Sequence, residues 1–177
     1  MPTTIRSAQP GDAEGIAHVY VDTWRDAYPG MLPNKVLVGL SEPRHTEFWQ
    51  RQIIAPNEII LVAEDPAFKK AAGVVGFGSA GRARDPKLGH DGEVYTLYLL
   101  ADWRNQGIGR LLLHRLFDAL AERGFGSAII WVLADNPSRF FYETMGGRMA
   151  AERVKKLWGA PVRQFAYGWE SLRQSVA

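Results

Sequence analysis

The chain has no cysteine among its 177 residues, which excludes disulfides, thiolate metal sites and a cysteine nucleophile. Its four histidines, His18, His45, His90 and His114, are too widely spaced for a metal-ligand motif, so no metal is expected. No stretch reaches the ~18 apolar residues of a membrane helix, and the opening MPTTIRSAQPGDAE lacks the basic and apolar regions of a signal peptide. The expected setting is the cytoplasm, with no membrane partner. Charge of one sign is missing too: 21 basic residues are interspersed with 19 acidic ones for a net charge of +2, so no broad field favours nucleic acid. No Gly-Lys-Ser or Gly-Lys-Thr occurs, and hence no Walker loop.

What is present is a hydrophobic fraction of 46%, enough at this length for one well-buried core, and residues 1–177 read as a single domain. TIRSAQ reads as a strand. PGDAE then offers Asp12 as the N-cap of a helix carrying Ile16, Val19, Tyr20, Thr23, Trp24 and Ala27 at helical spacing. Helical pattern resumes near Asn34 and again after Ser41, with Phe48, Trp49, Gln52 and Ile53 on one side. IILVAE and AAGVVGFGSAG form a hairpin, RARDPKLGHDG is a loop, and EVYTLYLL is a strand apolar enough to be covered on both faces. In IGRLLLHRLFDALAERG, Ile108, Leu112, Leu116 and Leu120 recur at i+4, and Gly124 ends the helix. AIIWVL is a buried strand, a helix runs from about Asn136 to Thr144, and two strands near 148–157 and 162–170 close the chain. Alternation puts Phe165, Tyr167 and Trp169 on one face, suited to the core or to a homodimer interface. The fold class is α/β (α+β), a mixed sheet of about seven strands flanked by helices.

Two glycine motifs compete for a phosphate. GFGSAG, residues 76–81, is a complete G-x-G-x-x-G, but it leads into a polar loop broken by Pro86, Gly89 and Gly92 instead of opening a helix. It reads as a glycine-rich strand that lets a neighbour approach closely. RNQGIGR, residues 104–110, lacks the third dinucleotide glycine yet lies between a strand and a long amphipathic helix. There, successive N–H groups and the helix dipole can meet a pyrophosphate.

At this point the sequence resembles the GNAT superfamily of acetyl-CoA-dependent N-acetyltransferases, whose pyrophosphate loop reads Q/R-x-x-G-x-G/A. Arg104, Gly107 and Gly109 fill it, and NPSRFFYETMGG matches the later N-x-x-x-x-x-Y-x-x-x-G through Asn136, Tyr142 and Gly146. Arg139 and Gly147 depart from the usual small residue and phenylalanine, and Ala101 stands where many members have proline. The resemblance implies a GNAT-type acyl-CoA N-acyltransferase fold and acetyl-CoA as acetyl donor. Its pantetheine would meet the backbone of Leu97 and Leu99, and its pyrophosphate residues Arg104, Asn105, Gln106, Gly107, Ile108, Gly109 and Arg110. Asn136 would anchor the cofactor or cap its helix.

Transfer to an amine needs a neutral nucleophile, and a lysine-like amine of pKa about 10.4 is free in only about 1 molecule in 2,500 at pH 7. Glu93 stands eleven residues before Arg104, where histone-acetylating relatives carry their general base. Tyr142 is the candidate acid for the leaving thiolate. Trp24 and Tyr28, near Asp22 and Asp26, are candidates for contact with a cationic acceptor, which would be a small-molecule amine or a peptide N-terminus. The W-x-x-x-Y-P-G-x-L-P form around them recurs in bacterial members. The competing reading is a silent acyl-CoA-binding regulatory module.

Overall fold

A computed structural model describes residues 2–173. The elements run β1 (Thr4–Ser7), α1 (Ala13–Ala27), α2 (Asn34–Val38), α3 (Glu42–Ile54), β2 (Ile59–Glu64), β3 (Val74–Arg82), β4 (Gly92–Leu99), α4 (Ile108–Glu122), β5 (Ala128–Leu133), α5 (Ser138–Thr144), β6 (Arg148–Leu157) and β7 (Ala160–Trp169). The strands form one sheet in the order β1-β2-β3-β4-β5-β7-β6, antiparallel everywhere except between β4 and β5.

The sheet is covered on both faces because its strands carry apolar side chains on both. On one face the α4 stripe Leu112, Leu113, Leu116, Phe117 and Leu120 packs with Val94, Ile130, Tyr167 and Trp169. On the other, Ile16 and Val19 of α1 and Trp49 of α3 pack with Val62, Val75 and Phe77. The chain leaves α4 through a paired cap: Gly124 adopts φ 91°, its N–H donates to Ala121 O, and Phe125 N–H donates to Leu120 O.

Several expectations are corrected here. Asp12 does not cap α1 with its side chain: the carboxylate accepts from the Arg6 guanidinium (2.7 and 2.9 Å) and from Gln9 N–H (2.7 Å), closing the preceding turn. Phe48 is exposed while Trp49 is buried. The fifth helix begins at Ser138, two residues after Asn136. Strand β3 continues into the expected loop as far as Arg82. Phe165, Tyr167 and Trp169 are all core, so these rings offer no interface.

GFGSAG lies within β3, and only a 3-10 turn at Pro86–Leu88, not an α-helix, comes between it and β4. A Cβ on Gly76 would stand 2.3 Å from Leu99 Cδ2, and one on Gly78 would stand 2.6 Å from Leu116 Cδ1. The missing side chains are spaces for β4 and α4 to pack against β3.

Candidate active site

Parallel pairing of β4 with β5 stops after three residues, Gly92 with Ala128 to Val94 with Ile130. Beyond that point the strands fork. Opposite β3 the register skips from Ala80–Val94 to Ser79–Thr96, leaving Tyr95 as a bulge that bends β4 away from β5. Gly81 makes the bulge possible, since a Cβ there would lie 2.8 Å from the Tyr95 hydroxyl, which donates to Arg82 O.

The fork opens a cleft of about 700 Å³, a volume suited to a sizeable ligand. Its floor is a strand edge. Leu100 N–H donates to Val75 O, so alternation turns the main-chain groups of Thr96 and Tyr98 toward β3 and those of Leu97 and Leu99 toward the cleft. Arg104 Nε takes the Leu99 carbonyl (3.2 Å), and its Nη1 reaches Asp26 (3.0 Å), tying the end of β4 to α1.

The cleft then meets the start of α4. Asn105 and Gly107 are both left-handed, at φ 62° and 83°, and this alternation gathers successive N–H groups into one concavity. The N–H groups of Ile108, Gly109 and Arg110 have no carbonyl one turn back, as at any helix start. Asn105, Gly107, Gly109 and Arg110 line the cleft. The Ile108 side chain is in the core, and Gln106 Nε2 folds back to Asp102 O (2.8 Å), so these two contribute only main chain.

Tyr142 lines the cleft with Leu97 and Leu99, only 5% exposed, and burial raises its phenol well above the ordinary value. Asn136 caps α5, its Oδ1 accepting from Ser138 N–H (2.9 Å), while its Nδ2 donates to the Tyr28 hydroxyl (3.4 Å). Burial also raises the Tyr28 phenol, and Tyr98, Asn136 and Arg104 partly offset that. Trp24 and Tyr28 line the cleft and pack edge to face at 5.0 Å. Asp26 is neutralised by Arg104, and Asp22 does not reach the cleft, so the acids expected to attract a cation do not form a free anionic patch.

Glu93 sits elsewhere. It is 1% exposed, does not line the cleft, and gives both oxygens to Arg84: Oε1 accepts from the Arg84 N–H (3.0 Å) and Oε2 from Nε (3.0 Å) and Nη2. Its register partner, Ile129, marks the last paired stretch before the fork. Both carboxylate oxygens are thus engaged by Arg84, and neither faces the cleft. Arg84, 63% exposed, is the group of this pair that lines the cleft.

The far wall joins Arg84, from the loop RARDPKLGHDG that the family resemblance assigns to acceptor selection, to four residues the sequence reading missed: Trp131, Arg153, Lys155 and Trp158. Trp158 and Gly159 form the two-residue turn between β6 and β7, both with positive φ, and Trp158 packs edge to face on Trp24 at 5.6 Å. The one available signal was the spacing of Arg153 and Lys155, two apart on a strand and so on one face.

The forked sheet thus brings an open strand edge up to a left-handed turn at a helix start, and comparison with known proteins assigns this layout to an acetyltransferase class. The model of the acetyltransferase (GNAT) family matches residues 17–146, and the chain belongs to that family. It is 33% identical over 169 residues to the uncharacterized N-acetyltransferase YuaI of Bacillus subtilis (strain 168), covering 96% of this chain and 94% of that protein. Its fold matches PaiA N-acetyltransferase from Thermoplasma acidophilum in complex with coenzyme A, at TM-score 0.70 and 18% identity over 96% of this chain and 100% of that one. It also matches yncA from Salmonella typhimurium with its cofactor acetyl-CoA, at TM-score 0.70 and 17% identity over 96% and 94%. No described helix is long and apolar enough to cross a membrane, and no described cluster of His, Asp and Glu has metal-site geometry.

Proposed function

We propose that the protein moves an acetyl group from acetyl-CoA to a primary amine by direct attack inside the cleft. The carrying observation is the continuous path from the open edge of β4, at Leu97 and Leu99, to the cradle at Asn105–Arg110. An extended amide-bearing arm fits an unpaired strand edge, and a pyrophosphate fits a left-handed turn at a helix start with Arg110 beside it. Acetyl-CoA supplies the activated thioester when bound.

The chain's own groups do the rest. Leu97 N–H, facing the cleft, is a fixed donor for the thioester oxygen as charge develops there. The amine nitrogen bonds to the carbonyl carbon, the carbon–sulfur bond breaks, and the amine's proton leaves to water in the open cleft. Tyr142 stays protonated because burial raises its phenol, and it donates a hydrogen bond to the departing sulfur. Glu93 acts as a positioning residue, fixing Arg84 at the base of the acceptor side.

The test is thiol release from acetyl-CoA across a panel of primary amines, with coenzyme A binding measured in parallel by calorimetry. Amine-dependent release is the expected result. Tight coenzyme A binding with no release for any amine would mean a silent acyl-CoA module instead.

A further inference from the structure

Resting on the acetyl-transfer reading, we infer that the acceptor amine carries an anionic group, a carboxylate or a phosphonate, and that Arg153, with Arg84 beside it, binds that group on the β5–β7–β6 wall of the cleft.

Register explains how an edge strand reaches the site. Leu133, Gln164 and Arg153 lie in one row across β5, β7 and β6, and Trp131, Ala166 and Ala151 lie in the next. The two alanines leave room for the Arg153 guanidinium to lie over the Trp131 indole, 3.7 Å from the ring centroid, while its Nε donates to Gln164 Oε1 (2.7 Å). Stacking and a single side-chain bond hold the plane and leave guanidinium N–H groups for a ligand. Lys155, two residues on, shares this face and also lines the cleft. Glu152, the acid of β6, points to the other face and is taken by Arg163.

The charge balance is one-sided. Arg84, Arg153 and Lys155 face this end of the cleft; Asp26, the acid in its lining, is held by Arg104, and Glu93 lies buried beneath Arg84, outside the lining. Among the described residues Arg153 has no ion-pair partner. Burial and the Arg84 charge disfavour its cation, and Glu93 and Asp85 offset this only in part. Asp85 and Glu58 sense these cations from outside the lining. An anion would complete the set. A polyamine would meet repulsion. The same cations disfavour a second positive charge nearby and so shift a bound amine toward its neutral, nucleophilic form, which suits a site whose Glu93 is committed elsewhere.

The experiment pairs matched acceptors: each of the common amino acids, its carboxamide, its α-aminophosphonate analogue where one exists, and spermidine, assayed by thiol release. The binding arm measures the N-acetylated amino acids and their carboxamides by calorimetry on the enzyme–coenzyme A complex. Expected is at least one acid whose kcat/KM exceeds that of its carboxamide by about tenfold or more, with an N-acetylated acid that binds better than its carboxamide. Arg153→Gln should erase most of that preference through KM while coenzyme A affinity holds. The phosphonate arm separates a carboxylate site from a general oxyanion site, both within the inference. Carboxamides or spermidine turned over as well as every acid would overturn it and leave acetyl transfer standing. With no turnover at all, the binding arm still decides: binding indifferent to the carboxylate refutes the anion site.

Discussion

At the α4 end of the cleft the chain presents backbone, and at the β6 end it presents side chains. The proposed cradle is the turn from Asn105 to Arg110, whose shape follows from Asn105 and Gly107 at positive φ and in which Asn105, Gly107, Gly109 and Arg110 line the cleft. The proposed acceptor wall is made of Arg84, Trp131, Arg153, Lys155 and Trp158, from three stretches of chain, the loop after β3, β5, and β6 with its turn, that the sheet register brings together. A backbone site is fixed by local spacing and tolerates varied side chains. A side-chain site can be changed without disturbing the fold, which fits it for choosing an acceptor.

The sharpest way to break this contrast is to put a side chain where the cradle has none. Gly109 lines the cleft, and a Cβ there would meet only Leu99 Cδ1 at 3.4 Å and Phe141 Cζ at 3.8 Å, ordinary contacts. Gly109→Ala should therefore bind coenzyme A nearly as well as wild type. Gly109→Leu has to project into the cleft between those two side chains, and its affinity should fall about 100-fold, or about 2.8 kcal/mol, by calorimetry. A Gly109→Leu protein with unchanged melting temperature and unchanged affinity would remove the cradle from the site.

The same contrast explains what the sequence disclosed. The seven strands follow from local periodicity, as do the helices, except that the region from Asn34 divides into α2 and α3; the choice of RNQGIGR over GFGSAG follows from whether an α-helix comes next. Leu97 and Leu99 came from the family resemblance alone, and it is the register with β3 that turns their main-chain groups toward the cleft. Glu93 was readable as a residue near the site but not as one tied to Arg84, because its partner sits nine positions back on a loop whose path the sequence does not encode locally. Arg153 over Trp131 depends on β6 and β7 adding to the sheet beside β5, a long-range pairing that alternation alone cannot specify.

The next test is on that Glu93–Arg84 pair. Arg84→Ala leaves a buried carboxylate with little but one backbone N–H, so denaturant unfolding should show a loss of about 2 kcal/mol. Glu93→Gln added to Arg84→Ala should restore about half of that, since the buried charge is gone. Glu93→Gln alone should raise the acceptor KM with only a few-fold change in kcat. A fall in kcat of about 100-fold or more, with acceptor KM unchanged and the acid limb of the pH profile lost, would make Glu93 the base after all.

Tyr142→Phe comes third. Removing one hydrogen bond to the leaving sulfur should lower kcat about tenfold and leave coenzyme A affinity unchanged. The pH dependence has a definite sign: burial raises this phenol above its ordinary value of 10.0, so it keeps its proton across neutral pH and creates no alkaline limb below about 10. Wild-type turnover in the variant would take Tyr142 out of the reaction.

The smallest effect is expected at Trp158, where the acceptor wall meets the fold. Its φ of 50° is costly for a bulky residue, by about 1–2 kcal/mol, in a turn that Asn-Gly fills more readily. Against that stands its edge-to-face contact with Trp24, worth about 0.5–1.5 kcal/mol and toward the low end because Trp158 is 43% exposed. In Trp158→Asn the two terms nearly cancel, so stability should stay within about 1 kcal/mol of wild type, a melting shift of at most about 4 °C. The acceptor KM should nonetheless rise several-fold, because the ring closing the cleft over Trp24 is gone, while coenzyme A affinity at the other end is untouched. Loss of coenzyme A binding in this variant would show that the two ends are not separable, since the turn lies on the β6 wall and not on the cradle. A change in acceptor KM without a change in stability would identify the strained conformation of Trp158 as one retained for binding rather than for folding.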